Sequence, residues 1–126
     1  MPIVKPLLAG LAVSGLLLLG GAGSAPAQDP AVVNSKTIRV KMENERVRVL
    51  EAVLQPGDKE QMHSHPAYVT YVIEGGTARN HFPDGTTSES TLKAGDVLYR
   101  EALTHWAENI GTTTIHLILV ELKEPK

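Results

Sequence analysis

Two histidines at alternating positions are the feature of this sequence most able to do chemistry. They lie in Gln61-Met62-His63-Ser64-His65. Side chains at i and i+2 of a β-strand point to the same face, so His63 and His65 would project together, near enough to share one metal ion. Two histidines supply only half of a metal site, and an ordinary pair of surface or core histidines is the alternative.

The elements that must position this pair follow a period of two. Ile38, Val40 and Met42 alternate with charged residues, a pattern typical of half-buried strands, and turn signals recur about every 8 to 12 residues. Gly75-Gly76 predicts a tight hairpin. The predicted strands cover 38–42, 46–54, 61–65, 68–73, 77–82, 86–92, 97–100, 105–109 and 113–122. We therefore expect one all-β antiparallel sandwich or barrel, with no substantial helix outside the N-terminal segment.

The N-terminal segment predicts export. Residues 1–27 contain one charge, at Lys5, then an apolar run over 7–19 and a small-residue stretch ending at Ala27. This order is typical of a secretory signal peptide cut after Ala27, which predicts a periplasmic or secreted protein. The alternative is an uncleaved membrane anchor, since 6–28 has no formal charge and approaches the ~20 residues of a span. A lead-in that is flexible or pairs at a sheet edge is expected over 28–36, and the folded domain over 37–126.

Composition excludes several classes of protein. The 126 residues include five His and no Cys, and the formal charge is −2. Disulfides and cysteine-type zinc sites are therefore impossible, and a near-neutral acidic chain is not expected to bind nucleic acid. A domain of this size without cross-links buries a thin core, which favours a homodimer.

The spacing around the histidine pair resembles the first motif of the cupin superfamily. Gly57, His63, His65 and Gly76 occupy matching places, whereas the place of the motif's glutamate falls on Val69. The second motif is matched at its ends by Gly95, His105 and Asn109. Its middle departs from the pattern, because Glu101 replaces a proline and the segment up to His105 is one residue short.

This resemblance implies an antiparallel cupin barrel, that is, a double-stranded β-helix or jelly roll, with a metal triad of His63, His65 and His105. Three neutral imidazoles with open positions suit Zn²⁺, or Fe²⁺ where oxygen is activated. Val69 in place of the acid lowers the expected preference for Mn²⁺. A three-histidine site without the acid resembles the sites of the thiol dioxygenases. A divalent ion is expected, with Fe, Zn, Ni, Cu and Mn all open, and a relict site without metal is the alternative.

Five further residues are predicted around the triad. Gln61 lies two residues before His63, so the two side chains point to the same face of the strand. Gln61 and the hydroxyls of Tyr71 and Tyr99 are candidates for a fourth metal ligand, or are simple neighbours of the site. Glu101 is a candidate general acid or base, or an ordinary solvated side chain. Placing 69 and 71 on the histidine face assumes that no bulge intervenes at Pro66. The five are Gln61, Val69, Tyr71, Tyr99 and Glu101.

Two classes of function follow. In the first, a metalloenzyme acts on a small acid or thiol, by dioxygenase-like or by lyase- or isomerase-like chemistry. In the second, the same domain binds a small molecule or a metal ion without turnover. The sequence leaves both open, since this fold supports many functions.

Overall fold

The computed structural model describes residues 28–125, so the predicted signal peptide lies outside the described residues. One short helix and nine strands occur within this range. They are α1 Pro30–Val33, β1 Ile38–Glu43, β2 Val47–Leu54, β3 His63–His65, β4 Tyr68–Glu74, β5 Gly76–His81, β6 Thr87–Leu92, β7 Val97–Arg100, β8 Leu103–Asn109 and β9 Ile115–Leu122. The predicted all-β fold is confirmed. Between residues 28 and 125 no helix has the length and apolar character to cross a membrane.

The strands form two antiparallel sheets. The larger sheet has the order β1-β2-β9-β4-β7, and the smaller has the order β3-β8-β5-β6. Most neighbours are distant in sequence: β9 lies between β2 and β4, and β8 lies between β3 and β5. This arrangement is the jelly roll, in which the inner faces of the two sheets enclose the interior.

The interior of the larger sheet is apolar because its strands alternate. Leu50, Ala52 and Leu54 of β2 are buried, while the residues between them are only partly buried. Ile115 and Leu119 do the same on β9, which pairs with β2 along its whole length. These inward residues pack into one hydrophobic cluster that also includes Ile38 and Tyr68.

The connection at Gly75 differs from the predicted hairpin. β4 and β5 do not pair with each other; β4 lies in the larger sheet and β5 in the smaller, so the chain crosses between sheets here. A Cβ at Gly75 would collide with the backbone carbonyl of Leu92. Gly75 therefore permits a close backbone approach at the crossing, and Gly76 makes room for the Thr113 and Ile115 side chains, so the pair does not form a two-residue turn.

Residues 28–36, expected as a lead-in that is flexible or pairs at a sheet edge, are folded against β3 of the smaller sheet and β1 and β2 of the larger. Asp29 caps α1 by accepting from the Ala31 amide at 2.9 Å and forms a two-pronged ion pair with Arg48, at 2.6 and 2.7 Å. The Ser64 amide donates to the Gln28 carbonyl at 2.9 Å. This segment therefore covers the edge strand β3, which carries both histidines of the pair.

Candidate metal centre

The structure brings three histidines together on the inner face of the smaller sheet. β3 carries His63 and His65, and β8 carries His105, which lies directly opposite His63 in the strand register. All three residues are buried, and one ring nitrogen from each lies within 4.8 Å of the others. The alternation of β3 and the pairing of β3 with β8 are sufficient to assemble this group.

The spacing of the ring nitrogens fits one shared ion. The Nε2 atoms of His63 and His65 are 3.0 Å apart. Two imidazole nitrogens bound about 2.1 Å from the same metal lie roughly 3.0 to 3.4 Å from each other. The rings also meet edge to face, with centroids 4.7 to 5.5 Å apart, so they converge without stacking.

The other ring nitrogen of each histidine faces an oxygen. Nδ1 of His63 donates to the Gln61 carbonyl at 2.8 Å. Nδ1 of His65 lies 3.4 Å from Glu121 Oε1, and Nδ1 of His105 lies 3.1 Å from Asn80 Oδ1. With the protons placed on Nδ1, the Nε2 lone pairs of His63 and His65 lie 3.0 Å apart, which is unfavourable unless a cation lies between them.

Burial keeps His63 and His105 neutral. Loss of solvent lowers the pKa of His63 to about 4 and that of His105 to about 3, the latter with a further contribution from the neighbouring histidines. Metal ligation requires the unprotonated imidazole, so at neutral pH these two side chains are already in the binding form.

A carboxylate that the sequence analysis missed lies behind His65. Glu121 is buried, with an exposed fraction of 5%. It occupies an inward position of β9, in the row that contains Leu117 and Leu119. A charged residue in an apolar row was the available signal. The centre therefore has a carboxylate although Val69 replaces the acid of the motif. Glu121 supplies it by contacting the His65 ring instead of the metal position.

Asn34 is a second residue that the sequence analysis missed, because nothing in its local sequence indicates that it contacts the histidine pair. It is buried and lies 29 residues before His63, with its Nδ2 3.0 Å from His63 Nδ1. Its Oδ1 accepts from the Gln61 amide at 2.7 Å, and its Nδ2 donates to the Gln61 carbonyl at 3.2 Å. The N-terminal segment thus holds the backbone that orients the first histidine.

The triad opens into a cavity of about 140 Å³ between the two sheets. Its walls are mainly apolar, and polar side chains from both sheets are interspersed among them. Such a cavity suits a small molecule that contacts the histidines at one end. The polar lining residues other than the triad are Glu60, Tyr68, Thr70, Asn80, Ser88, Ser90 and Arg100.

Val69 and Tyr71 do not line this cavity, contrary to the sequence prediction. β3 ends at His65 and β4 begins at Tyr68, so the irregular Pro66-Ala67 step shifts the alternation by one residue. Tyr68 and Thr70 therefore face the interior, whereas Tyr71 is 48% exposed on the outer face. Thr70 now occupies the inward place next to the site.

The other three predicted neighbours also lie outside the cavity lining. Tyr99 is 56% exposed, and its hydroxyl lies 3.4 Å from a carboxylate oxygen of Glu101, which is itself exposed. Gln61 contributes through its backbone carbonyl and amide rather than its side chain. None of these three side chains is placed to act as a fourth ligand.

Comparisons with known proteins agree with this architecture. No protein-family model and no curated protein matches the chain. Among solved structures, a cupin domain from Bordetella pertussis Tohama I is 29% identical, with a TM-score of 0.63, over 69% of this chain and 92% of that one. An uncharacterised conserved protein with a double-stranded β-helix domain from Klebsiella pneumoniae is 28% identical, with a TM-score of 0.54, over 66% and 72%. A predicted oxalate decarboxylase from Thermotoga maritima is 21% identical, with a TM-score of 0.51, over 69% and 79%, and shares the fold alone.

Proposed function

Since this chain is a small domain of the cupin superfamily, we propose that it binds a divalent metal ion through His63, His65 and His105 and holds a small molecule beside it. The observation that carries this proposal is the convergence of one ring nitrogen from each of three buried histidines, whose Nδ1 atoms each contact an oxygen. That arrangement is typical of metal-binding histidines, because the anchor fixes both the tautomer and the ring orientation.

Three neutral nitrogen donors leave coordination positions for water or a ligand. When bound, the metal supplies Lewis-acid chemistry, or oxygen activation if it is iron. The donors are compatible with Fe, Zn, Ni, Cu or Mn, and affinity alone favours Cu²⁺ and Zn²⁺. The buried Glu121 adds negative charge behind His65, which favours a cation at the triad.

The residues of the cavity would do three things for a bound molecule. Apolar walls from both sheets exclude water, and the Thr70 and Ser90 hydroxyls offer hydrogen bonds that orient it. Arg100 lines the same cavity and forms no ion pair among residues 28–125, so it favours an anionic group. This pattern supports a metalloenzyme acting on a small acid or thiol.

A non-catalytic module that binds a small molecule or a metal ion is the alternative. It is favoured by the absence of a fourth protein ligand among the predicted neighbours. Oxygen uptake by the metal-loaded protein, measured over a panel of thiols and diketones, separates the two: turnover of any member supports the enzyme, and no uptake across the panel supports the module.

Metal content tests the proposal directly. We expect the full chain to hold about one ion and a His63→Ala, His65→Ala double variant to hold none after dialysis, measured by inductively coupled plasma mass spectrometry. The matched control replaces two histidines on outward-facing positions, His81→Gln and His116→Gln, and should retain the metal. Equal metal in the first two samples would show that the triad is not the site.

Export and self-association extend this proposal. We propose that the protein is periplasmic or secreted, on the strength of the 1–27 pattern. The mass of the exported protein tests it, since an N-terminus at Gln28 is expected and an intact Met1 would contradict cleavage. Homodimerisation stays a prediction, which size-exclusion chromatography with light scattering can check.

A further inference from the structure

A half-buried glutamate shares the cavity with the triad, and within residues 28–125 one of its carboxyl oxygens has no hydrogen-bond partner. Glu60 lines the cavity, and its Oε1 accepts from the Ala107 amide at 3.0 Å. Within residues 28–125, Oε2 receives no hydrogen bond, yet it is not among the fully enclosed atoms that lack a partner. The free oxygen is therefore accessible, on a residue that lines the cavity.

The backbone explains why this side chain points inward. Lys59 forms an isolated bridge to Glu108, and the Glu60 amide donates to the Ala107 carbonyl, so this stretch runs beside β8. Lys59 points outward, where its Nζ lies 3.9 Å from Glu108. Glu60, the next residue, lies on the opposite face, beside Ala107.

The position of Glu60 suits contact with a molecule held at the triad. Ala107 follows His105 by two residues on β8, a step of about 7 Å along the same inward row. A molecule of a few heavy atoms could therefore touch a metal at His105 and the carboxyl of Glu60 together. Strand β8 holds the first end of this span, and hydrogen bonds between Glu60 and Ala107 of β8 hold the second.

No cation neutralises this carboxyl group. The other titratable or charged groups that line the cavity are the three histidines, Tyr68 and Arg100, and Arg100 forms no ion pair with Glu60. Burial consequently raises the pKa of Glu60 to about 7, against the single stabilising hydrogen bond from Ala107. A carboxyl group in this condition can give or take a proton near neutrality.

We propose that Glu60 is the proton-transfer residue of the cavity, taking the proton of a small hydroxyl or thiol ligand held at the three histidines. In this step the O–H or S–H bond of the ligand breaks, its electron pair stays on the ligand oxygen or sulfur, and a new O–H bond forms at Glu60 Oε2. The inference rests on the proposed metal site, and it assigns Glu60 the role that the sequence analysis considered for Glu101.

Proton release on ligand binding tests this inference. The probe is acetohydroxamic acid, a small neutral chelator that loses a proton when it binds a metal, titrated into the zinc-loaded full chain at pH 8. Calorimetry in two buffers of different ionisation enthalpy gives the number of protons released. We expect fewer protons from the wild type than from Glu60→Gln, because the bound anionic oxygen accepts a hydrogen bond from protonated Glu60 and so raises the pKa of this carboxyl group above pH 8.

Three controls keep the outcomes separate. Glu108→Gln removes a carboxylate from the outer face of β8 and should match the wild type. Glu60→Met, which suits the apolar wall, should release as many protons as Glu60→Gln and covers the case in which the glutamine variant folds poorly. Equilibrium dialysis should give the same zinc content for all four proteins.

Two results would overturn the inference while leaving the metal site intact: equal proton release by wild type and Glu60→Gln, or no binding of the probe to the zinc-loaded wild type. A wild-type chain that takes up no zinc would instead contradict the proposed function itself, and the inference with it.

Discussion

Histidines on the inner and the outer face of the smaller sheet both contact a glutamate carboxylate, but they do so through different ring nitrogens. On the inner face, His65 turns Nδ1 towards Glu121 and leaves Nε2 free to meet its neighbours. On the outer face, His81 turns Nε2 to Glu108 at 2.9 Å and stacks on Trp106, with ring centroids 3.6 Å apart. A histidine bonded to a carboxylate is thus not a metal ligand by itself.

These two environments lie on opposite faces of the sheet, so adjacent residues of one strand enter different environments. β8 carries His105 inward and Trp106 outward, and β5 carries Asn80 inward and His81 outward. Because side chains alternate across a sheet, neighbouring residues enter either a dry cavity or a surface in contact with solvent. The chemistry of each histidine is decided by desolvation and by which ring nitrogen is anchored.

Acid should break the inner group with the largest effect. The pKa values of His63 and His105 are about 4 and about 3 in the folded chain, below the unfolded value of 6.5. Their contribution to stability is therefore fully present above pH 6.5 and is lost as the pH falls. In metal-free Glu60→Gln protein, the free energy of unfolding should drop by about 5 kcal/mol between pH 7 and pH 4.5.

The wild type should lose only about half as much over this range, because Glu60 acts in the opposite direction. Its pKa is raised to about 7 by burial, so its protonation below pH 7 favours the folded state. Urea unfolding followed by circular dichroism measures both slopes, and His63→Gln in the Glu60→Gln background should halve the loss. Identical slopes for wild type and Glu60→Gln would contradict the assignment of Glu60.

Loosening one anchor should weaken metal binding by an intermediate amount. Asn34→Ala removes the two hydrogen bonds that hold the Gln61 backbone, whose carbonyl orients His63, and losses of roughly 10- to 100-fold in metal affinity are typical for such supporting groups. The control is Asn44→Ala, because Asn44 bonds two backbone amides at an exposed turn far from the cavity. Competition with a chromophoric chelator gives both affinities, which should differ; equal values would mean that Asn34 does not orient His63.

Disturbing the outer group should have the smallest effect. His81→Ala removes the stack on Trp106, and aromatic pairs of this kind contribute about 1 kcal/mol. Metal affinity should stay at the wild-type value, since His81 points away from the cavity. Urea unfolding and chelator competition on the same sample check both expectations, and a large loss of metal would show that the two faces are coupled.

Much of the fold followed from local sequence pattern. The predicted strands agree with the observed ones to within a few residues, because alternation and turn residues act over short distances. The pairing of His63 with His65 needed only the same alternation. His105 came instead from the resemblance to known proteins, since nothing local relates it to a residue 42 positions earlier.

The errors in the site arise where local pattern fails. The prediction that Val69 and Tyr71 line the pocket assumed that the alternation of β3 continues past Pro66. The strand is interrupted there, so the alternation shifts. Asn34 and Glu121 meet the histidines from 29 and 56 residues away, and only the tertiary fold brings them there. Glu60 lies outside the named strands and is turned inward by a single bridge beside it.

The pairing of His63 with His105 also links metal binding to the order of folding. An unfolded chain presents only the closely spaced His63 and His65, whereas the third ligand arrives when β8 docks on β3. Closing a loop of this length is one of the slower, non-local events in the folding of a β-protein. A metal ion would therefore bind strongly only after this docking, so the refolding rate in the presence of metal reports whether β3 and β8 pair before or after the transition state.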